Sequence, residues 1–417
     1  MHRDSVPPSS VGNMRIEVVD ALRGSALGGI MLLHAIEHWN FMVYPEHSPA
    51  WLNALDQWTL RAGFLLFAGK AYAVFALLFG LSFFLILDRW SRRGIPVRSR
   101  FLWRLAVLGI FGYLHGLVFW GDFLLIIAIL GVPLVILERC SNRTLAWLSA
   151  LLVMQIPSLL EASRVLLDQG YHPTPPRNWS MDAHLVTVYS HGSFIEVVNA
   201  NRWQGQLSRL WWFMEAGRST QMLGLFLLGF ILGRSRVLEN PVRLCHMAKR
   251  ALYYASASFV FAEAIKHSLH HFGWAHVSEE LLIKVLSSYC GLAQAAIWAS
   301  GIVLLFESRR ISTALRLLAP CGRTSLTCYV MQGLIGVSLF YGFGMGLYRF
   351  LGPFYSMLLG AAFFIVQCVS ATLWLNYFVY GPLEWLWRSC TLGTLAVPFV
   401  KTRRRNCYSV SAPGVAS

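Results

Sequence analysis

The chain has 417 residues with a formal charge of +15, 56% hydrophobic and 13% charged residues, and a mean hydropathy of +0.52. A soluble domain carries about 25% charged residues, so this composition excludes an ordinary soluble enzyme and favours one bundle of lipid-embedded helices. The positive balance is read as membrane topology and not as nucleic-acid binding, because the basic residues fall in loops.

The N-terminal Met1–Ser10 is polar and lacks the apolar stretch of a signal peptide. Apolar windows of about 19 residues then predict ten spans. They lie near 22–43, 69–87, 102–120, 122–138, 144–166, 214–233, 249–267, 281–306, 323–345 and 353–379. Asp56 and Arg61 interrupt the stretch from Trp51 to Phe67, which reads as an interfacial segment. The third and fourth spans meet in a tight hairpin at Trp120-Gly121-Asp122.

Loops 88–104, 234–250 and 307–323, Arg139 and Arg143, and both terminal regions hold 25 of the 35 basic residues. That asymmetry predicts a polytopic integral membrane protein with both termini cytoplasmic. The expected parts are a cytoplasmic N-terminus (1–21), a five-span half (22–166), an extracytoplasmic cap (167–213), a second five-span half (214–387) and a basic tail (388–417). The cap opens on Tyr171-His-Pro-Thr-Pro-Pro176 and carries Trp179, Trp203, Trp211 and Trp212, a pattern of small interfacial helices. Gly24/Gly28, Gly112/Gly116 and Gly229/Gly233 sit at the spacing of close helix contacts. No internal repeat is visible, which argues mildly against a secondary transporter.

Eight cysteines are scattered without a CxxC, giving neither a disulfide framework nor a zinc motif. His267, His270, His271 and His276 share one short loop, but their spacing fits no metal template, so no metal is expected. Lys70, at the start of the second span, is placed to snorkel.

The chemistry-bearing residues begin in the first span. At about 1.5 Å per residue, His34 lies roughly 16 Å beyond Arg23, near the middle of a hydrocarbon slab. A buried ionisable group needs a partner or a task. Glu37 and His38 follow within a turn, so a carboxylate could orient the His34 imidazole for proton transfer. The bland alternative is an Asp20–Arg23 ion pair and a hydrogen-bonded core histidine. Arg23 and Arg323, at the basic ends of their spans, suit a phosphate-bearing ligand, or simply anchor topology. Asp122 and His115 form a second constellation; Asp122 either caps the fourth span or positions a histidine and an acceptor hydroxyl. Tyr329 and Gln332 lie on the ninth span as substrate contacts, although Gln332 and Gln367 could bond helix to helix. Glu384 is expected to fix the tail helix to the bundle.

Arg23-x10-His34 resembles the signature of membrane-bound acyltransferases that modify extracytoplasmic sugars. Arg15–Ile30, Phe75–Phe83, Leu114–Asp122, Pro320–Gln332 and Gly381–Arg388 resemble the YeiB-like family (domain-of-unknown-function family 418), which is grouped with those acyltransferases. Members of that family often carry Asn where this chain has His34 and Cys328. The resemblance implies transfer of an acyl group from a cytoplasmic acyl-CoA, such as acetyl-CoA, to a hydroxyl or amine acceptor. No cofactor would be tightly bound. His34, Glu37, His38 and Asp122 would then do chemistry, Arg23 and Arg323 would hold the donor, and His115, Tyr329 and Gln332 would contact substrate. A metabolite exporter or a non-catalytic envelope protein stays open beside it, and no stretch of sequence locates an oxyanion stabiliser.

Overall fold

In a computed structural model, residues 8–168, 171, 173–269, 276–306 and 309–401 are described, without the side chains of 8–16, 166, 276–279 and 309–310. They are helical throughout; the one extended pairing is an isolated bridge between Phe378 and Val400. Eighteen α-helices follow in order. They are α1 (Pro8–His34), α2 (Ala50–Phe67), α3 (Ala71–Ser91), α4 (Val97–Gly116), α5 (Leu124–Leu137) and α6 (Asn142–Val153). Then come α7 (Ile156–Leu167), α8 (Arg177–His191), α9 (Phe194–Ala200), α10 (Gln206–Glu215), α11 (Arg218–Arg234) and α12 (Pro241–Leu269). The last are α13 (His276–Phe306), α14 (Arg309–Arg316), α15 (Ala319–Arg323), α16 (Ser325–Phe340), α17 (Pro353–Tyr377) and α18 (Pro382–Leu392).

Among the described residues, five stretches are long and apolar enough to cross a bilayer: Glu17–Trp39, Ala50–Ser91, Asn142–Val165, Glu280–Phe306 and Pro353–Tyr377. The pair Phe194–Glu215 and Arg218–Arg234, bent by 71°, makes a sixth if counted as one span. Length and apolarity therefore carry five or six crossings where ten were expected. The windows 122–138 and 323–345 hold helices of only 14 and 16 residues, about 21 and 24 Å long against a ~30 Å slab. Arg98, Arg100 and Arg104 in α4, and Arg243, Lys249, Arg250, Glu263 and Lys266 in α12, lower the apolarity of those helices, which are not among the five.

The first span is 78% buried within the protein and Pro353–Tyr377 only 17%, so α1 is the axis of the bundle and α17 lies on its rim. Small residues permit that centrality. A Cβ on Gly24 would strike the Leu318 carbonyl before α15, and one on Gly322 would strike the Asp20 carbonyl of α1. The same device joins α3 to α11, where Gly229 lies on the Leu77 carbonyl and Gly80 on the Phe226 backbone. The expected close approaches at Gly24, Gly112 and Gly229 are thus present.

The basic loops converge on one end. Arg98 pairs with Glu138 at 2.7 Å, Arg236 with Asp88 at 3.6 Å and Arg316 with Glu17 at 3.4 Å, while Trp387 Nε1 donates to the Arg104 carbonyl at 2.9 Å. At the other end, α8 to α10 form a helical lid over a second apolar cluster built around Trp39, Phe119, Tyr189, Phe340 and Tyr341. Tyr189 donates to Asn201 Oδ1 at 2.6 Å, and Asn201 donates to the Leu117 carbonyl at 3.1 Å, stitching lid to bundle.

Helix α2 is largely exposed, but Asp56 itself is fully buried and accepts from the Phe354 amide at 2.8 Å, in the first turn of α17. One sequence expectation is corrected here. Lys70 does not snorkel to water; it is buried and donates to the Phe64 carbonyl at 3.1 Å.

Candidate active site

Helix α1 does not end in a simple cap. Residues Ala35–Trp39 widen into a π-turn, and Phe41 and Met42 adopt left-handed φ of 55° and 57° as the chain reverses. Asn40 Nδ2 holds this reversal by donating to the Leu351 carbonyl at 2.6 Å. Single π-turns recur at functional sites because they re-aim side chains within a helix. Here the result is a cluster. The His34 ring lies 5.0 Å from His38, 5.1 Å from Phe119 and 6.1 Å from Tyr329, centroid to centroid.

The carboxylate expected on His34 goes elsewhere. Glu37 Oε2 lies 3.6 Å from Nδ1 of His38, and the Nδ1 atoms of both His34 and His38 are buried without a hydrogen-bond partner among the described residues. The oriented imidazole is instead His115, whose Nδ1 lies 2.8 Å from Asp122 Oδ1, with both side chains buried. The other oxygen, Oδ2, accepts from the Leu124 amide at 3.1 Å. Asp122 is therefore both helix cap and histidine partner. Nε2 of His115 is buried and unpartnered, and it abuts Gly333 so closely that a Cβ there would collide with it.

Tyr329 joins these parts. Its hydroxyl donates to the Gly121 carbonyl at 3.0 Å and accepts from the Phe123 amide at 3.2 Å, and its ring lies 5.5 Å from His115 and 4.8 Å from Phe123. The hairpin is held from the lid side by Arg209, which sequence reading passed over. Its guanidinium donates to the carbonyls of Gly116 (3.1 Å), Phe119 (2.9 Å) and Trp120 (3.4 Å), at the C-terminal end of α4 where a cation is favoured.

From the basic end, a cavity of about 540 Å³ enters between α1, α3, α4, α16 and α18. Arg23, Arg89, Arg104, Arg323 and Arg388 line its outer part, while Phe75, Phe79, Leu108, Leu124 and Ile127 line its depth. Tyr329 is among its walls; His34 and His115 are not. A second cleft, about 600 Å³ between Ser91, Pro96 and Glu138, contains none of the expected site residues.

Arg23 and Arg323, expected as a pair of ligand contacts, differ. Arg23 is engaged by Asp20 at 3.0 Å and by Ser82, whereas Arg323 is exposed in the cavity wall. Gln332 lies outside the cavity and donates to Gln367 Oε1 at 2.8 Å; Gln367 in turn donates to the Cys328 carbonyl at 2.9 Å. That is the interhelical bond, and it leaves Gln332 Oε1 buried without a partner among the described residues. Glu384 fixes the tail helix as expected, accepting from the amides of Leu326 (2.6 Å) and Thr327 (3.1 Å) at the start of α16. The described cysteines are free thiols, and no group of three His, Cys, Asp or Glu that could hold a metal occurs among the described residues. His270, His271 and Cys407, and the side chain of His276, lie outside them.

Residues 232–394 match the family model described as a protein of unknown function, DUF418. Over 403 residues the chain is 27% identical to an uncharacterized protein, YxaH, of Bacillus subtilis, covering 91% of this chain and 94% of that protein. It is 28% identical over 397 residues to the uncharacterized protein YeiB of Escherichia coli, covering 93% and 98%. The chain is thus similar to YxaH and YeiB over most of its length and to the DUF418 model over its C-terminal part. The matched segment contains α15, α16 and α18, and thus Arg323, Tyr329, Glu384 and Arg388. A third relative, a Bacillus acidopullulyticus protein described as uncharacterized, is 25% identical over 383 residues. No solved structure matches.

Proposed function

We propose that this is an integral-membrane acyltransferase of the bacterial inner membrane whose donor, an acyl-CoA, enters the cavity from a cytoplasmic basic end. One observation carries the reading: the cavity begins among arginines and ends on Tyr329, the residue that packs against His34 and the His115–Asp122 pair. Its deep third is apolar, which suits a thioester, and its mouth suits phosphate. His34 is the general base. It takes the proton of an acceptor hydroxyl as that oxygen bonds to the acyl carbon; the carbon–sulfur bond breaks, and CoA leaves as the thiol after protonation. His38 and Glu37 face the acceptor from the lid side. His115 and Asp122 are positioning residues, because the Gly333 backbone occupies the space at Nε2. Tyr329 must swing away from the Gly121 carbonyl for the donor to meet His34.

The test is release of free CoA thiol from acyl-CoA by the purified protein in nanodiscs, with and without candidate hydroxyl acceptors, for the wild type, His34→Ala and Arg323→Gln. Activity lost in both variants is the expected result. Equal turnover in all three proteins would remove the catalytic assignment.

A further inference from the structure

The acids and bases around the cavity do not cancel, and the imbalance specifies a ligand. Three carboxylates line it: Asp20, Glu239 and Glu384. Each is already engaged. Asp20 is paired with Arg23 at 3.0 Å, Glu239 with Arg236 at 3.6 Å, and Glu384 accepts from two amides and the Thr327 hydroxyl of α16. Four arginines are left over, each from a different helix: Arg89 of α3, Arg104 of α4, Arg323 of α15 and Arg388 of α18. None of the four forms an ion pair with a carboxylate among the described residues.

Two of them are nonetheless held still. The Arg104 guanidinium stacks 3.5 Å from the Trp387 ring and that of Arg388 lies 4.3 Å from the Tyr380 ring. An aromatic face orients a guanidinium without neutralising it, so the donors remain available for bidentate bonds to an anion. Converging like charges repel one another, and a multiply charged anion relieves that repulsion where a single carboxylate would not. Beyond the arginines the walls are Phe75, Leu78, Phe79, Leu105 and Leu108. Water there would find few polar partners, so the same ligand continues as an apolar arm.

We infer that Arg89, Arg104, Arg323 and Arg388 form a diphosphate site for an amphipathic ligand whose apolar arm fills the cavity. Arg23 belongs to the scaffold of this site and not to its anion contacts. The diphosphate is shared by two ligand sources, the head of a coenzyme A and a prenyl diphosphate of the lipid phase. The inference rests on the donor reading only for the first source; the anion site stands without it.

The experiment is calorimetric titration of the full chain in phosphatidylcholine nanodiscs with inorganic pyrophosphate, coenzyme A, farnesyl diphosphate and farnesol. Pyrophosphate binding is expected, weakening steeply with added salt. Arg323→Gln and Arg388→Gln are each expected to weaken it by about tenfold or more, with Arg202→Gln at the far end unchanged. Arg388→Lys keeps the charge but not the fork, and should recover only part of the loss. Coenzyme A binding more tightly than farnesyl diphosphate assigns the nucleotide source. The reverse order removes the acyl-CoA reading and leaves the diphosphate site standing. The site itself is overturned if pyrophosphate does not bind, if Arg202→Gln loses as much as Arg323→Gln, or if farnesol binds as well as its diphosphate.

Discussion

The mouth of the cavity and the buried histidine cluster beyond Tyr329 hold unpaired polar groups of opposite character. At the mouth Arg89 and Arg323 are exposed while Arg104 and Arg388 are half-buried against aromatic rings, and none of the four forms an ion pair with a carboxylate among the described residues. In the interior His34 Nδ1 and His115 Nε2 have no partner among the described residues, in a setting where an unmet polar atom costs about 1–3 kcal/mol. Unpaired charge at a wet mouth is a means of capture. Unpaired nitrogen in a buried interior is a strain that folding tolerates only where the surroundings impose it. Under the proposed function the contrast corresponds to binding at one end and chemistry at the other, with Tyr329 between them.

The strongest way to break that division is His34→Ala. Under the proposed function it should lower acyl transfer by roughly 10²–10⁴-fold, the usual worth of a positioned general base. Pyrophosphate affinity at the mouth should be unchanged, because His34 does not line the cavity. Parallel loss of both would merge the two ends into one site.

Next in size is Arg23→Gln. It leaves Asp20, which is mostly buried, without its cationic partner. An uncompensated buried charge typically costs about 3–5 kcal/mol, and partial exposure of Arg23 places this case near ~3 kcal/mol. Thermal unfolding in nanodiscs should show the loss, with pyrophosphate binding by the folded fraction retained. A variant that stays stable and loses the anion would return Arg23 to the ligand.

These residues also show what a sequence can disclose. The apolar windows located α1, α3, α11, α13 and α17, because a lipid-facing helix must be apolar over its whole length. Two of the ten windows hold the apolar but short helices α5 and α16, whose lengths are set by tertiary structure that no window of sequence reports. The site was legible as a set of residues and not as a set of partnerships. His34, His38, His115, Asp122 and Tyr329 do converge. Glu37, in the π-turn Ala35–Trp39, lies 3.6 Å from His38 Nδ1, and the imidazole that a carboxylate orients is that of His115. Arg89, Arg104 and Arg388 were counted as topology charges, since only packing shows which basic residues share a cavity. Arg209 gave no signal, because its work is done on backbone carbonyls distant in sequence.

Gly333→Ala probes the interior alone. The added methyl would collide with Nε2 of His115 and press on Phe119. Since the ring is pinned by Asp122 it cannot yield freely, and overpacking of this kind costs about 1–3 kcal/mol. A stability loss near 2 kcal/mol is expected, with a drop in acyl transfer and no change at the mouth. A neutral outcome would mean that His115 has room at Nε2, and would move it from positioning to chemistry.

The smallest effect is the most discriminating. Tyr329→Phe removes the hydroxyl that bonds the Gly121 carbonyl and the Phe123 amide, while keeping the ring that separates the cavity from His34. Losing such a bond while the hairpin relaxes onto other partners costs about 1 kcal/mol, readable as a modest fall in unfolding temperature. If Tyr329 must leave those partners for donor and base to meet, its removal from them lowers the cost of opening. Transfer should then be undiminished or slightly faster in Tyr329→Phe, with pyrophosphate affinity unaltered. A phenol that worked by donating its proton to the reacting carbonyl predicts the opposite, a fall of at least tenfold. The sign of the change in rate thus decides whether Tyr329 is a barrier between the two ends or a participant in the reaction.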